Sequence, residues 1–116
     1  MFSGKTANYQ DRVIKNVEFW PDINAGEFEE RRQIPASIAN ATVIAALLAA
    51  IDSVNRDLDT WTDIQHGQGY SSAADVPGPS CEGANALTES YKKAVFARAK
   101  ADLMPEFATV GRRETH

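Results

Sequence analysis

Residues 40–66 read NATVIAALLAAIDSVNRDLDTWTDIQH. Ile44, Leu47, Ile51, Val54, Leu58 and Trp61 recur at spacings of three, four, three, four and three. That rhythm puts all six on one side of an α-helix, with Leu48 and Ile64 widening the stripe. Asp52, Arg56, Asp57, Asp59 and Asp63 fall largely off it. Ser37 or Asn40 can cap the start, and His66-Gly67 suits the end. A continuous helix from Asn40 to Gln65 would be ~39 Å long at 1.5 Å per residue.

On the C-terminal side, residues 67–80 (GQGYSSAADVPGPS) carry three glycines and two prolines. They read as a long loop. A second long helix is expected from about Ser80 to Met104, with Leu87, Tyr91, Ala94 or Val95, and Leu103 as a weaker stripe. Its acids (Glu82, Glu89) come before its bases (Lys92, Lys93, Arg98, Lys100), which complements the helix dipole. Pro105 ends or kinks it, and Glu106 to His116 reads as a short tail.

On the N-terminal side, Asn24 can cap a short helix, with Glu27 three residues on and Phe28 as its buried side chain. Pro35 stops that helix at Ile34 or before. Residues 13–20 (VIKNVEFW) precede Pro21 and read as extended. Residues 1–12 read as a flexible arm. The expected fold class is all-α: a long antiparallel helical hairpin, a short additional helix, and extended N- and C-terminal arms. The expected division is 1–12 arm, 13–110 helical domain and 111–116 tail.

The whole chain has 116 residues, 43% of them hydrophobic, and a formal charge of −4. Ile, Leu, Val and Phe make up about a fifth of it, while alanine occurs 18 times. Alanine favours helix but buries little area, so the core is thin and neighbouring subunits are expected to add stability. The charge disfavours a strongly basic nucleic-acid binder. One cysteine, Cys81, excludes an internal disulfide framework and a multi-cysteine zinc site. No apolar run reaches the ~20 residues that span a bilayer, and the N-terminus lacks a signal-peptide core.

No phosphate-binding glycine loop, dinucleotide fingerprint, nucleophile elbow or H-E-x-x-H motif occurs. Asp59, Asp63 and His66 share a helix face at spacings of four and three, the nearest approach to a metal cluster. The competing reading is a solvated face opposite an apolar stripe, and no metal, cofactor or catalytic residue is assigned. Cys81 has no His beside it to activate a thiolate. Lys92, Lys93, Arg98 and Lys100 read as a solvated face that could touch a phosphate or an acidic partner. Trp61 reads as a core anchor. Trp20 has two readings: a pin holding the extended segment to the helices, or an interface anchor.

Two stretches resemble the head completion proteins of P2-like tailed bacteriophages. The first is Val13-Ile14-Lys15-Asn16 followed by Phe19-Trp20-Pro21-Asp22-Ile23, leading into the charged helix around Phe28 to Arg32. The second is Ala73-Ala74-Asp75-Val76-Pro77. The resemblance covers roughly residues 13–110 and implies a structural virion role without catalysis. It implies a ring adaptor, of twelve identical subunits to follow portal symmetry, between the portal protein and the next neck or tail component. Packaged DNA would pass through the channel without specific binding, and no membrane is involved. The protein would be made in the host bacterial cytoplasm and end in the head–tail neck of the virion. In that setting Phe19, Trp20, Pro21, Asp22 and Ile23 are candidate partner-binding residues. Asp57, Asp59 and Asp63 are candidates for an acidic, channel-facing surface that repels phosphate. Members of the family continue with a further C-terminal segment, which in related adaptors embraces the portal. The alternative, resting on the charge and the Asp57–Asp63 run, is a small acidic helical interaction module such as a DNA-mimic inhibitor.

Overall fold

The computed structural model describes residues 9–114. In chain order the elements are β1 (Val13–Ile14), β2 (Ile23–Asn24), α1 (Ala25–Arg31), α2 (Asn40–Asp57), α3 (Asp59–Gly67), a 3-10 turn (Ala73–Asp75), β3 (Ser80–Cys81), β4 (Ala84–Asn85) and α4 (Ala86–Glu114). The molecule is elongated, 57 × 33 × 20 Å.

The fold is mostly helical, as the periodicity predicts, with α2 against α4 as its spine. Val43, Leu47 and Val54 of α2 are buried, as are Val95, Phe96, Ala99 and Leu103 of α4. Phe28 of α1 closes the core against Phe96, ring centroids 5.3 Å apart. Asn24 accepts from the Glu27 backbone N–H at 2.9 Å and caps α1. Glu27 does not return the bond; its carboxylate pairs with Arg31 at 2.7 Å and with Lys92 at 3.4 Å.

The expectation of an all-α fold needs correcting, because two small antiparallel sheets are present. β1 pairs with β2, Ile14 opposite Ile23, and β3 pairs with β4, Cys81 opposite Ala84. The second hairpin turns through Glu82 (φ 49°) and Gly83 (φ 88°). Two consecutive positive φ angles make the tight two-residue turn whose twist matches paired strands. So residues 80–85, expected to open the last helix, form a hairpin instead.

The single helix expected over 40–65 is broken at Leu58 (φ −99°, ψ 8°). No glycine or proline stands there, though the flanking Asn55, Asp57, Asp59 and Thr60 are weak helix formers. On the far side of the break Trp61 meets the Trp20 and Phe19 rings, at centroid distances of 6.0 and 6.3 Å. Leu58 and Trp61 are only half-buried, and Leu48 and Ile64 are exposed rather than widening the core.

Pro105 does not end the last helix, which runs to Glu114 through the expected tail. Proline removes one N–H and crowds the carbonyl four residues earlier. At an exposed position water can take that carbonyl, and beyond it Phe107 packs back on the core under Lys100.

Residues 1–8 of the expected N-terminal arm, and 115–116 of the tail, lie outside the described residues. Residues 9–12 are seated. Arg12 carbonyl accepts from Ala25 N–H at 2.9 Å. The buried Glu29 carboxylate takes the Gln10 backbone N–H at 2.9 Å and its side-chain amide at 3.0 Å.

Candidate functional site

Lys15 to Asp22 form a turn between β1 and β2, and Asn16 holds it shut. The Asn16 N–H donates to the Asp22 carboxylate at 2.9 Å, and its amide donates to the Pro21 carbonyl at 2.9 Å. The Asn16 amide also donates to the Tyr91 hydroxyl at 2.8 Å, and that hydroxyl donates to Asn55 Oδ1 at 2.6 Å. The Asn55 amide returns a bond to Asn16 Oδ1 at 3.0 Å. This closed polar triangle ties the turn to α2 and α4, and each member satisfies the others. Burial pushes the Tyr91 phenol above its ordinary range, while the bonds to Asn16 and Asn55 pull it back.

Above the triangle the aromatics stack. The Trp20 ring lies on Tyr91 at 4.4 Å and 7°, and on Trp61 at 6.0 Å and 18°. Phe19 meets Trp20 edge-on at 4.8 Å. Phe19, Trp20 and Ile23 are therefore buried, Pro21 is half-buried and Asp22 exposed. Of the two readings of Trp20, the pin is what the single chain displays. Yet Trp20 keeps an edge on an open cleft of about 280 Å³, shared with Leu58, Trp61, Leu87, Tyr91 and Ala94. Its walls are ring faces and aliphatic carbons, with Ser90 the exception.

A second depression, of about 310 Å³, lies on the other side of the same aromatics. It brings Glu18 and Phe19 to Asp59, Asp63 and His66, whose ring stands 5.2 Å from that of Phe19. The fold thus joins the aromatic turn to part of the acidic run. Asp57 is drawn away: it pairs with Arg98 of α4 at 2.7 Å, and Arg98 also reaches Ser53. Among the described residues no group of three or more His, Cys, Asp or Glu is placed to hold a metal ion.

The second matching stretch sits against the first. The Ala73 N–H donates to the Phe19 carbonyl at 2.8 Å. The buried Asn85 amide holds the same loop through the carbonyls of Ala73 (2.9 Å) and Val76 (3.0 Å). Asn85 and Thr88 cap the start of α4 reciprocally, each side chain accepting the other's backbone N–H. Cys81 is exposed on the β3–β4 hairpin. Lys92 belongs to an ion-pair cluster with Glu27 and Glu89, and Lys100 covers Phe107.

Sequence reasoning missed Asn55 and Asn85 as anchors. A lone asparagine inside an apolar helix, where it is a poor helix former, was the available signal for Asn55. It also missed the cleft, whose lining residues come from the aromatic turn, the end of α2, α3 and α4.

Residues 14–116 match the family described as phage head completion protein (GPL). The chain is 44% identical over 116 residues to a probable head completion/stabilization protein of Haemophilus phage HP1, covering all of this chain and 77% of that one. It is 30% identical over 98 residues to the head completion/stabilization protein of Escherichia phage P2, covering 84% of this chain and 58% of that one. No solved structure matches significantly.

Proposed function

Because the chain belongs to the phage head completion protein (GPL) family, we propose that it is a structural virion protein that completes the head, forming a ring adaptor between the portal and the next neck or tail component. The observation that carries this reading is the family match over residues 14–116, which takes in both stretches that the Phe19–Ala73 bond joins. The protein works by contact rather than turnover, using rigid helical faces. No helix among the described residues is long and apolar enough to cross a membrane.

In this reading Phe19, Trp20 and Ile23 build the wall of the partner-binding region from inside, and Pro21 and Asp22 present its rim. Asp59 and Asp63 keep their carboxylates in water and form the acidic, phosphate-repelling surface of the channel. Asp57 contributes less, since Arg98 neutralises it.

Mixing the protein with purified portal and weighing the product by native mass spectrometry tests the proposal. One added copy per portal subunit is the expected result. Two folded proteins that never combine would remove the portal as the partner.

A further inference from the structure

α4 is 29 residues long, and Pro105 stands inside it. A proline has no N–H, so the Ala101 carbonyl loses its intrahelical partner, and the ring crowds that same carbonyl. The following turn adds a second disturbance. The Thr109 hydroxyl donates back to the Pro105 carbonyl at 3.2 Å. Such back-bonding weakens a helix slightly and often bends it. Sharp kinks in long helices sit mostly at proline.

Packing changes at the same place. Before the proline, Val95, Phe96, Ala99 and Leu103 are buried at helical spacing. From there on, Met104, Pro105, Glu106 and Ala108 are exposed. Among the described side chains beyond the proline, Phe107 alone packs on the core, with Lys100 Nζ 5.9 Å from its ring centre. Thr109 is half-buried, but its bond goes to its own helix. Glu106 to Glu114 is nine residues. A helix that short does not hold itself in water, since isolated helices below ~12–15 residues are marginal. It depends on the tie that Phe107 makes.

We propose that the end of α4 beyond Pro105 is a hinged flap, latched by Phe107, which opens as one unit while the rest of the molecule stays folded. Pro105 sets where the flap parts, because the ladder of helical bonds is already thinned there. Phe107 sets how readily it parts, because lifting one ring frees the whole segment. Every described side chain of α4 that is fully buried lies before the proline, so opening takes only Phe107 from the core. The open form uncovers an aromatic ring and the apolar surface beneath it, which the closed form hides. This inference stands on α4 alone and does not rest on the adaptor reading.

Hydrogen exchange of the full chain under native conditions, read by mass spectrometry, tests it. Amides 106–114 should exchange together, at least about tenfold faster than amides 95–103, with the step at Pro105. Phe107→Ala should speed that block further, leaving amides 95–103 and the urea midpoint unchanged. Pro105→Ala restores the missing N–H and should slow the block by about tenfold or more. Protection that fades evenly from Glu114 inward is ordinary end fraying and overturns the flap. So does a block as slow as 95–103, or one indifferent to Pro105→Ala. If Phe107→Ala speeds 95–103 equally, the ring is part of the common core and not a latch.

Discussion

The backbone N–H of Ala73 donates to the carbonyl of Phe19 at 2.8 Å. The bond joins the aromatic turn to the loop between α3 and β3, two segments about fifty residues apart in the chain. It satisfies backbone groups of two fully or nearly buried residues, which water could not otherwise reach. The order and spacing of the two stretches in the sequence therefore describe one place in the fold.

Trp20 is the centre of that place. Trp20→Ala removes a ring held between Tyr91 and Trp61, and should cost about 3–5 kcal/mol of stability. Urea unfolding measures it. A loss under about 1 kcal/mol would mean the stack contributes little beyond a solvated contact.

Tyr91→Phe keeps the stacked ring but leaves Asn55 Oδ1 and one Asn16 amide hydrogen without their partner. The expected cost is about 1–3 kcal/mol. The same variant tests pH dependence. Burial raises the folded-state Tyr91 above its unfolded value, so the folded state holds the proton longer. The resulting stability is fully present below the unfolded phenol range and is lost as pH rises through the folded one. Melting temperatures from pH 8 to 11 should fall more steeply in the parent than in Tyr91→Phe. Parallel curves would contradict it.

Gly26→Ala sets two effects against each other. Alanine is the better helix former by about 1 kcal/mol. But a Cβ at Gly26 would stand 2.2 Å from the Gln10 carbonyl oxygen, a backbone atom that cannot swing aside. The clash should win, with a net loss on the order of 1–3 kcal/mol. Limited proteolysis should then cut near residues 9–12, which Glu29 and Ala25 hold in the parent. Unchanged protection there would show that the segment is not seated by this approach.

Gln33 takes φ 54° directly after α1. Ile34 N–H donates to the Glu29 carbonyl at 2.9 Å, the helix-ending bond that usually follows a glycine in this left-handed position. A side chain there costs roughly 1–2 kcal/mol, partly offset by glycine's greater freedom when unfolded. Gln33→Gly should raise stability by about 0.5–1 kcal/mol in a thermal melt. A destabilised variant would mean that the glutamine side chain has a role of its own.

The helical spine was legible because Leu47, Ile51 and Val54 obey a 3.6-residue rhythm that packing rewards. The break at Leu58 was not. The same rhythm runs straight through it, and no glycine or proline marks it. The β3–β4 hairpin was hidden for another reason: two residues per strand are too few to show alternation. At the candidate site, Phe19 to Ile23 stood out because proline and aromatics break helical pattern. Leu87, Ser90 and Ala94 did not, because an apolar cleft looks in sequence like the core beside it.

The Asn16–Tyr91 bond spans 75 residues. Contacts so remote in sequence cannot form while the chain is still short. During synthesis α2 can wind as soon as it emerges, but the aromatic turn must wait for α4 to arrive from the far end. The aromatic wall around Trp20 thus stays unfinished until Tyr91 has been made. If that wall is where a partner docks, as proposed above, a half-made chain has no finished face to offer it.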